Sequence, residues 1–215
     1  GWYRVGSSSY TNSGFDRGHM CPSADRTFSS SDNAATFLMT NMIPQAPQNN
    51  QRAWADLETY LRGEVKKGYE VYTIMGSYGK GGTGTNGYAE TINNGKVTVP
   101  KRVWKIAIIL PTGNGDLART NADTRILAVD TPNENTLDTD WKKYITTVDL
   151  IEKATRLMNQ NNSGYVPDSS KLKPVQQQFS TSSQIDYKLI KKMISEAVNE
   201  ALTENGLLVE STEKS

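Results

Sequence analysis

Apolar residues recur along this chain with changing period, and each change of period marks an element. Trp54, Leu57, Leu61 and Val65 stand three and four apart, the stripe of a helix packed along one face, and Gly68 follows as its stop. Residues 71–75, 103–110 and 125–130 read as strands, and the unbroken apolar run 106–110 suits a central strand covered on both faces. Short helices are predicted at 33–37, behind a capping cluster of Ser30, Ser31 and Asp32, at 141–144 and at 148–157, the last capped by Thr146 or Thr147. Residues 1–14, aromatic and then rich in Ser, Gly and Asn, predict an edge strand running into a loop. An extended stretch is expected at 38–43, a loop at 44–47 enforced by Pro44 and Pro47, and a Gly/Asn/Thr-rich surface excursion with a minor hairpin at 76–96. These elements predict one α+β domain over residues 1–158. Behind it come a polar linker over 159–184, an amphipathic helix over 185–205 and a tail over 206–215. The apolar rows of that last helix either dock on its own domain or pair with a protein partner, an inhibitor or another copy.

Composition narrows the class. The 215 residues (23.8 kDa) are 36% hydrophobic, enough for one ordinary core, and no stretch approaches the apolar length of a transmembrane helix. Lys+Arg 24 against Asp+Glu 23 leaves a formal charge of +1, so a polyanion can be held only by a local patch and with salt-sensitive affinity. One cysteine, Cys21, excludes an intrachain disulfide framework, and one histidine, His19, excludes two-histidine metal centres and Cys/His zinc fingers. Any imidazole chemistry must use His19. The chain opens at Gly1 with no apolar signal segment, which reads as a processed, excised or truncated product whose targeting peptide is gone.

The densest polar chemistry lies at 15–28, around Asp16-Arg17-Gly18-His19. Phosphodiester hydrolysis needs a base for water, positive charge for the crowded phosphorus and a stabilised leaving oxygen. His19 has the reference pKa of a base at neutral pH, so activity is expected to fall below about pH 6–6.5. A hard divalent cation that keeps most of its waters can be held by one or two oxygens, and Asn49, Asn50 and Glu58 are candidates. Residues 50, 54, 58 and 62 are successive i+4 neighbours on an α-helix, so Asn50, Glu58 and Arg62 can line one edge while Trp54 turns to the core. Taken singly these residues have blander readings: a packed histidine, a helix cap at Asn49-Asn50, a surface ion pair between Glu58 and Arg62. Cys21, two residues from His19, shares its face without reaching hydrogen-bond contact, and 79–87 lacks the GK[ST] ending of a phosphate loop.

The set as a whole resembles a known family. Asp16-Arg17-Gly18-His19 with Met-Cys-Pro-Ser-Ala-Asp-Arg-Thr after it, then Thr40-Asn41-Met42-Ile43-Pro44-Gln45, then Asn49-Asn50-Gln51, Trp54, Leu57-Glu58 and Arg62, are similar in order and spacing to the DNA/RNA non-specific endonucleases, sugar-nonspecific nucleases with a ββα-metal (His-Me finger) site. The resemblance covers roughly residues 2–155 and implies an α+β fold with a mostly antiparallel central sheet flanked by helices. It implies His19 as general base, and Asn50 as direct ligand of a hydrated Mg²⁺ or Mn²⁺ whose water shell Glu58 holds. Arg17 and Arg62 would support the phosphate or the site, Asn41 would support His19, and Asp16 would order the motif by hydrogen bonding. The implied substrates are DNA and RNA, cut to 5′-phosphate ends, and the implied location is secreted or periplasmic in a bacterium. In the family a segment carrying strands and a functional arginine precedes the matched region, and the expectation is that this part of the domain is absent here. Two other readings remain at this point: a binding module that has lost turnover, and a toxin nuclease controlled by an inhibitor.

Overall fold

The computed structural model describes residues 3–121 and 123–161. Its strands are β1 (Asp16–His19), β2 (Met42–Gln45), β3 (Tyr69–Tyr78), β4 (Gly82–Gly84), β5 (Gly87–Ala89), β6 (Thr91–Ile92), β7 (Val97–Thr98), β8 (Arg102–Pro111), β9 (Arg125–Pro132) and β10 (Ile145–Thr146). Its α-helices are α1 (Ser30–Ala35), α2 (Ala55–Lys66), α3 (Asp116–Arg119) and α4 (Val148–Asn161). The central sheet is antiparallel throughout, in the order β10-β9-β8-β3, and β1 and β2 form a separate two-stranded ribbon. The expected α+β class with a mostly antiparallel sheet is present.

Period-two alternation along β8 explains the layering. Val103, Ala107 and Ile109 point to one face, where Trp54, Leu57 and Leu61 of the long helical segment meet them with Leu127 and Val129 of β9. Ile106, Ile108 and Leu110 point to the other, and there Ile106 joins Ala128 of β9 and Ile151 of α4. The apolar run at 106–110 is thus buried on both sides, as its composition requires. The helical stripe is buried as predicted except for Val65, which is exposed, and Gly68 ends α2 in the left-handed region at φ +90°.

Several elements depart from the sequence reading. The edge strand expected within 1–14 is a 3₁₀ turn, Ser7–Tyr10, whose Tyr10 is buried with Phe15, Met42, Ile92 and Val99. The short helix begins earlier, at Ser30, because Ser29 caps it by accepting from the Asp32 amide at 3.1 Å. Residues 39–41 form a 3₁₀ turn instead of extended chain, and Pro44 and Gln45, expected in a loop, pair with β1. A proline is tolerated there because a two-stranded ribbon leaves one side of each strand without a partner. The 76–96 excursion holds the end of β3, the hairpin β4–β5 and β6, which pairs with β7 just beyond it. The amphipathic helix at 185–205 and the tail lie outside the described residues. No helix among the described residues is long and apolar enough to cross a membrane.

One buried amide joins the ribbon to the sheet. Asn133, just past β9 and fully buried, accepts from the Ala46 amide at 2.7 Å and donates to the carbonyls of Pro44 at 2.9 Å and Pro100 at 2.8 Å. Asn133→Ala removes three hydrogen bonds and leaves their backbone partners buried and unpaired. The expected loss is about 3 kcal/mol, read as a lower urea midpoint with unchanged slope.

Candidate active site

His19 ends β1 opposite Met42, and the ribbon packs closely because Gly18 precedes it: a Cβ at that position would stand 2.6 Å from the Cβ of Gln45. The imidazole is half-buried, its Nε2 enclosed without a hydrogen-bond partner, and its ring meets Phe37 edge-to-face with centroids 5.0 Å apart. Burial, and secondarily the Arg17 guanidinium, hold its pKa below the ordinary histidine value, so the ring is neutral and basic at pH 7. Asn41 braces the backbone that follows. Its side-chain oxygen accepts from the Cys21 amide at 2.9 Å, its nitrogen donates to the carbonyls of Cys21 and Thr36 at 2.8 Å each, and its own carbonyl accepts from Met20 at 2.9 Å.

The helix carrying the other candidates does not start as an α-helix. Asn49–Trp54 is a π-helical segment running straight into α2. A π-turn holds more residues than an α-turn, so the even i+4 row expected from Asn50 through Glu58 is not an α-helical one over its first turn. The segment separates the two asparagines. Asn49 is fully buried and bonds Thr131 Oγ1 at 3.0 Å and the Pro132 carbonyl at 2.9 Å, which makes it a structural tie. Asn50 is half-buried and donates through Nδ2 to Asp16 Oδ2 at 2.8 Å, where Gln51 also donates at 2.8 Å. That orientation commits the amide nitrogen to the carboxylate and leaves Asn50 Oδ1 as the free hard-oxygen donor. Asp16 thereby joins the ribbon to the start of the helix.

Glu58 and Arg62 do not pair with each other. Arg62 bonds Asp25 Oδ1 at 3.2 Å and Thr59 Oγ1 at 3.1 Å. Glu58 meets Lys105 Nζ at 3.4 Å, and this lysine, 2% exposed, also lies over the Trp54 ring at 4.7 Å. Burial pushes the Glu58 carboxyl above the usual range against the pull of Lys105, and burial likewise pushes Lys105 down. Asp25 enters the sequence reading only as part of the motif after His19, without a role of its own, and Lys105 does not enter it. Alternation from Val103 places Lys105 on the α2 face of β8, but nothing local says that Glu58 waits there. Arg17 is exposed and bonds Ser7 Oγ at 2.9 Å. The structure therefore brings together Asp16 with Asn50, His19 with Arg17, and Glu58 with Lys105. No hydrogen bond joins His19 to Asn50, Glu58 or Arg62; β1, the braced turn after it and α2 hold them on one scaffold, with Met20 packed on the Trp54–Leu57 core. Among the described residues no three His, Cys, Asp or Glu side chains cluster as a metal cage.

Residues 1–164 match the family model described as DNA/RNA non-specific endonuclease. The chain belongs to that family. It is 47% identical over 155 residues to a protein named "Nuclease" from Nostoc sp., covering 72% of this chain and 54% of that one. It is 27% identical over 161 residues to human mitochondrial endonuclease G, covering 73% and 52%, and 36% identical over 120 residues to nuclease C1 of Cunninghamella echinulata, covering 54% and 47%. The chain spans about half the length of these curated relatives. A crystal structure of an EndoG/EndoGI complex superposes with a TM-score of 0.54 at 22% identity over 69% of this chain and 60% of that one, a likeness of fold.

In this family member the sole imidazole makes one titration unambiguous. The His19 proton resonances should titrate with a midpoint below 6.5, and Arg17→Gln should move the midpoint upward without restoring the free value, because burial is the larger cause. The acid limb of any His19-dependent activity falls correspondingly lower than the pH 6–6.5 expected from sequence; a midpoint at or above 6.5 would contradict the enclosed setting.

Proposed function

We propose that this chain is a metal-dependent endonuclease that hydrolyses phosphodiester bonds of DNA and RNA without sequence preference, leaving 5′-phosphate ends. The observation that carries this reading is the neutral, half-buried His19 on the same scaffold as an asparagine whose amide a carboxylate has oriented. Family membership and relatives named as nucleases support it. The oxygen donors present fit a largely hydrated Mg²⁺ or Mn²⁺: Asn50 Oδ1 is free to bind it directly, and the Glu58 carboxylate, steadied by Lys105, is suited to accept from its waters. When bound, such a cation supplies positive charge to the phosphate and polarises the water that protonates the leaving 3′-oxygen.

The protein's own steps follow from the residues. His19 takes a proton from the attacking water, and its lowered pKa keeps the ring unprotonated at neutral pH. Arg17, whose partner among the described residues is Ser7, offers its guanidinium to a phosphate oxygen, while Arg62 is tied to Asp25. Asp16 and Asn41 act by positioning. Contacts of this kind address the sugar-phosphate backbone, which carries no base sequence. A protein partner is part of the reading: the fold neighbour was solved with an inhibitor, and the chain's own expected interaction element is the helix at 185–205.

Plasmid DNA and RNA incubated with the chain and Mg²⁺ should both be cut, and EDTA should abolish cutting. His19→Ala should lose about 10²–10⁴-fold in rate, and Asn50→Ala should raise the Mg²⁺ concentration needed for half-maximal activity. Retarded mobility of intact plasmid by the wild-type chain in Mg²⁺ would instead identify a binding module.

A further inference from the structure

The segment between β1 and β2 presents large apolar side chains to solvent beside the candidate base. Phe37 is 50% exposed, Leu38 60% and Phe28 100%. These are not the marks of a loose loop. Ser29 caps α1, the Asn33 amide nitrogen ties the segment to the carbonyls of Ser23 at 2.9 Å and Arg26 at 3.2 Å, and the Asn41 amide nitrogen holds the Thr36 carbonyl one residue before Phe37. The Phe37 ring is fixed on one side by the edge-to-face contact with His19 and open on the other. An exposed Arg26 stands in the same segment, and Arg17 lies two residues before His19.

Resting on the endonuclease reading above, we propose that Phe37 is a stacking platform for an unpaired nucleobase adjoining the scissile phosphate, with the exposed Leu38 next to it in the chain, so that single-stranded nucleic acid is the preferred substrate class. An aromatic ring packed on the residue that activates water is within one nucleotide of the phosphorus being attacked. Every nucleobase has a π-face, so stacking adds affinity without sequence preference, whereas a base inside a duplex must first be unstacked to use the platform. The exposed Arg17, two residues before His19, and Arg26 of the same segment are cations for the adjoining phosphates, and single-strand binding combines cations with aromatic stacking.

The test compares kcat/KM on a short single-stranded oligonucleotide and on its duplex, with binding measured separately by fluorescence anisotropy of labelled oligo(dT) in EDTA. Wild type should favour the single strand. Phe37→Ala and Phe37→Leu should lower the single-strand-to-duplex ratio about tenfold, Phe37→Tyr should restore it, and anisotropy should show matching losses of oligo(dT) affinity. Equal proportional losses on both substrates, with oligo(dT) affinity unchanged, would overturn the proposal and leave Phe37 as packing for His19. Phe37-dependent oligo(dT) binding without any cleavage would keep the platform and overturn the endonuclease reading; neither binding nor cleavage would overturn both.

Discussion

The packing of Trp54, Leu57 and Leu61 against Val103, Ala107 and Val129 is the contact on which the remaining geometry depends. All six are nearly sealed from water, and together they clamp one helical segment across the α2 face of the sheet. Burial of the valine and leucine side chains among them contributes roughly 1.5–3 kcal/mol each. The same segment carries Asn50, Glu58 and Arg62, with Glu58 turned toward the sheet beside the core. Fixing the apolar stripe therefore fixes the azimuth and height of these polar residues, and Lys105, projecting from the same face of β8 as Val103 and Ala107, meets Glu58 as a consequence.

Side-chain amides then attach the ribbon to that frame. Asn133 reaches the backbone on both sides of Gln45, Asn41 holds the turn after His19, and Asp16 takes hydrogen bonds from Asn50 and Gln51. Asn133 and Asn41 replace a secondary-structure ladder where irregular chain would otherwise carry buried, unpaired backbone groups. The site is thus built from irregular backbone held by a regular layer, and its rigidity rests on amide geometry instead of strand pairing. That explains why the family-like motifs are rich in Asn and Gln as well as in charged residues: an amide both donates and accepts, so a single side chain can close two backbone gaps.

The frame was readable from sequence because its signals are local. The 3-and-4 spacing of Trp54, Leu57 and Leu61, the unbroken apolar end of β8 and the stop at Gly68 each sit within one element. The family motifs were readable as motifs, and with them the candidate roles of His19, Asn50 and Glu58. What escaped is non-local. The π-turn at Asn49–Trp54 has no signature separable from an α-helical start. The 3₁₀ turn at Ser7–Tyr10 follows from where Tyr10 finds its core, against Phe15, Met42 and Val99. Lys105 looks like one polar interruption in a strand until Glu58, 47 residues earlier in the chain, is placed against it. Arg62 and Glu58, four apart on one helix, suggested each other; tertiary partners, Asp25 and Lys105, won both.

The charge distribution bears on how such a site could hold a polyanion. A net charge of +1 provides no long-range field, and exposed arginines such as Arg17 and Arg26 are screened over about 8 Å at physiological salt. Lys105 is spent on Glu58 and Arg62 on Asp25, so two of the nearest cations are already neutralised locally. Phosphate contacts alone would then give weak, strongly salt-dependent binding. An exposed aromatic surface beside His19 adds a term that salt does not screen, and one that, like the backbone contacts, is indifferent to base identity. The two features fit together physically on the proposed stacking reading: where cations beside the site are already paired, an interaction that is apolar, local and common to every nucleotide complements the phosphate contacts, and the phenylalanine packed on His19 is the side chain placed to supply it.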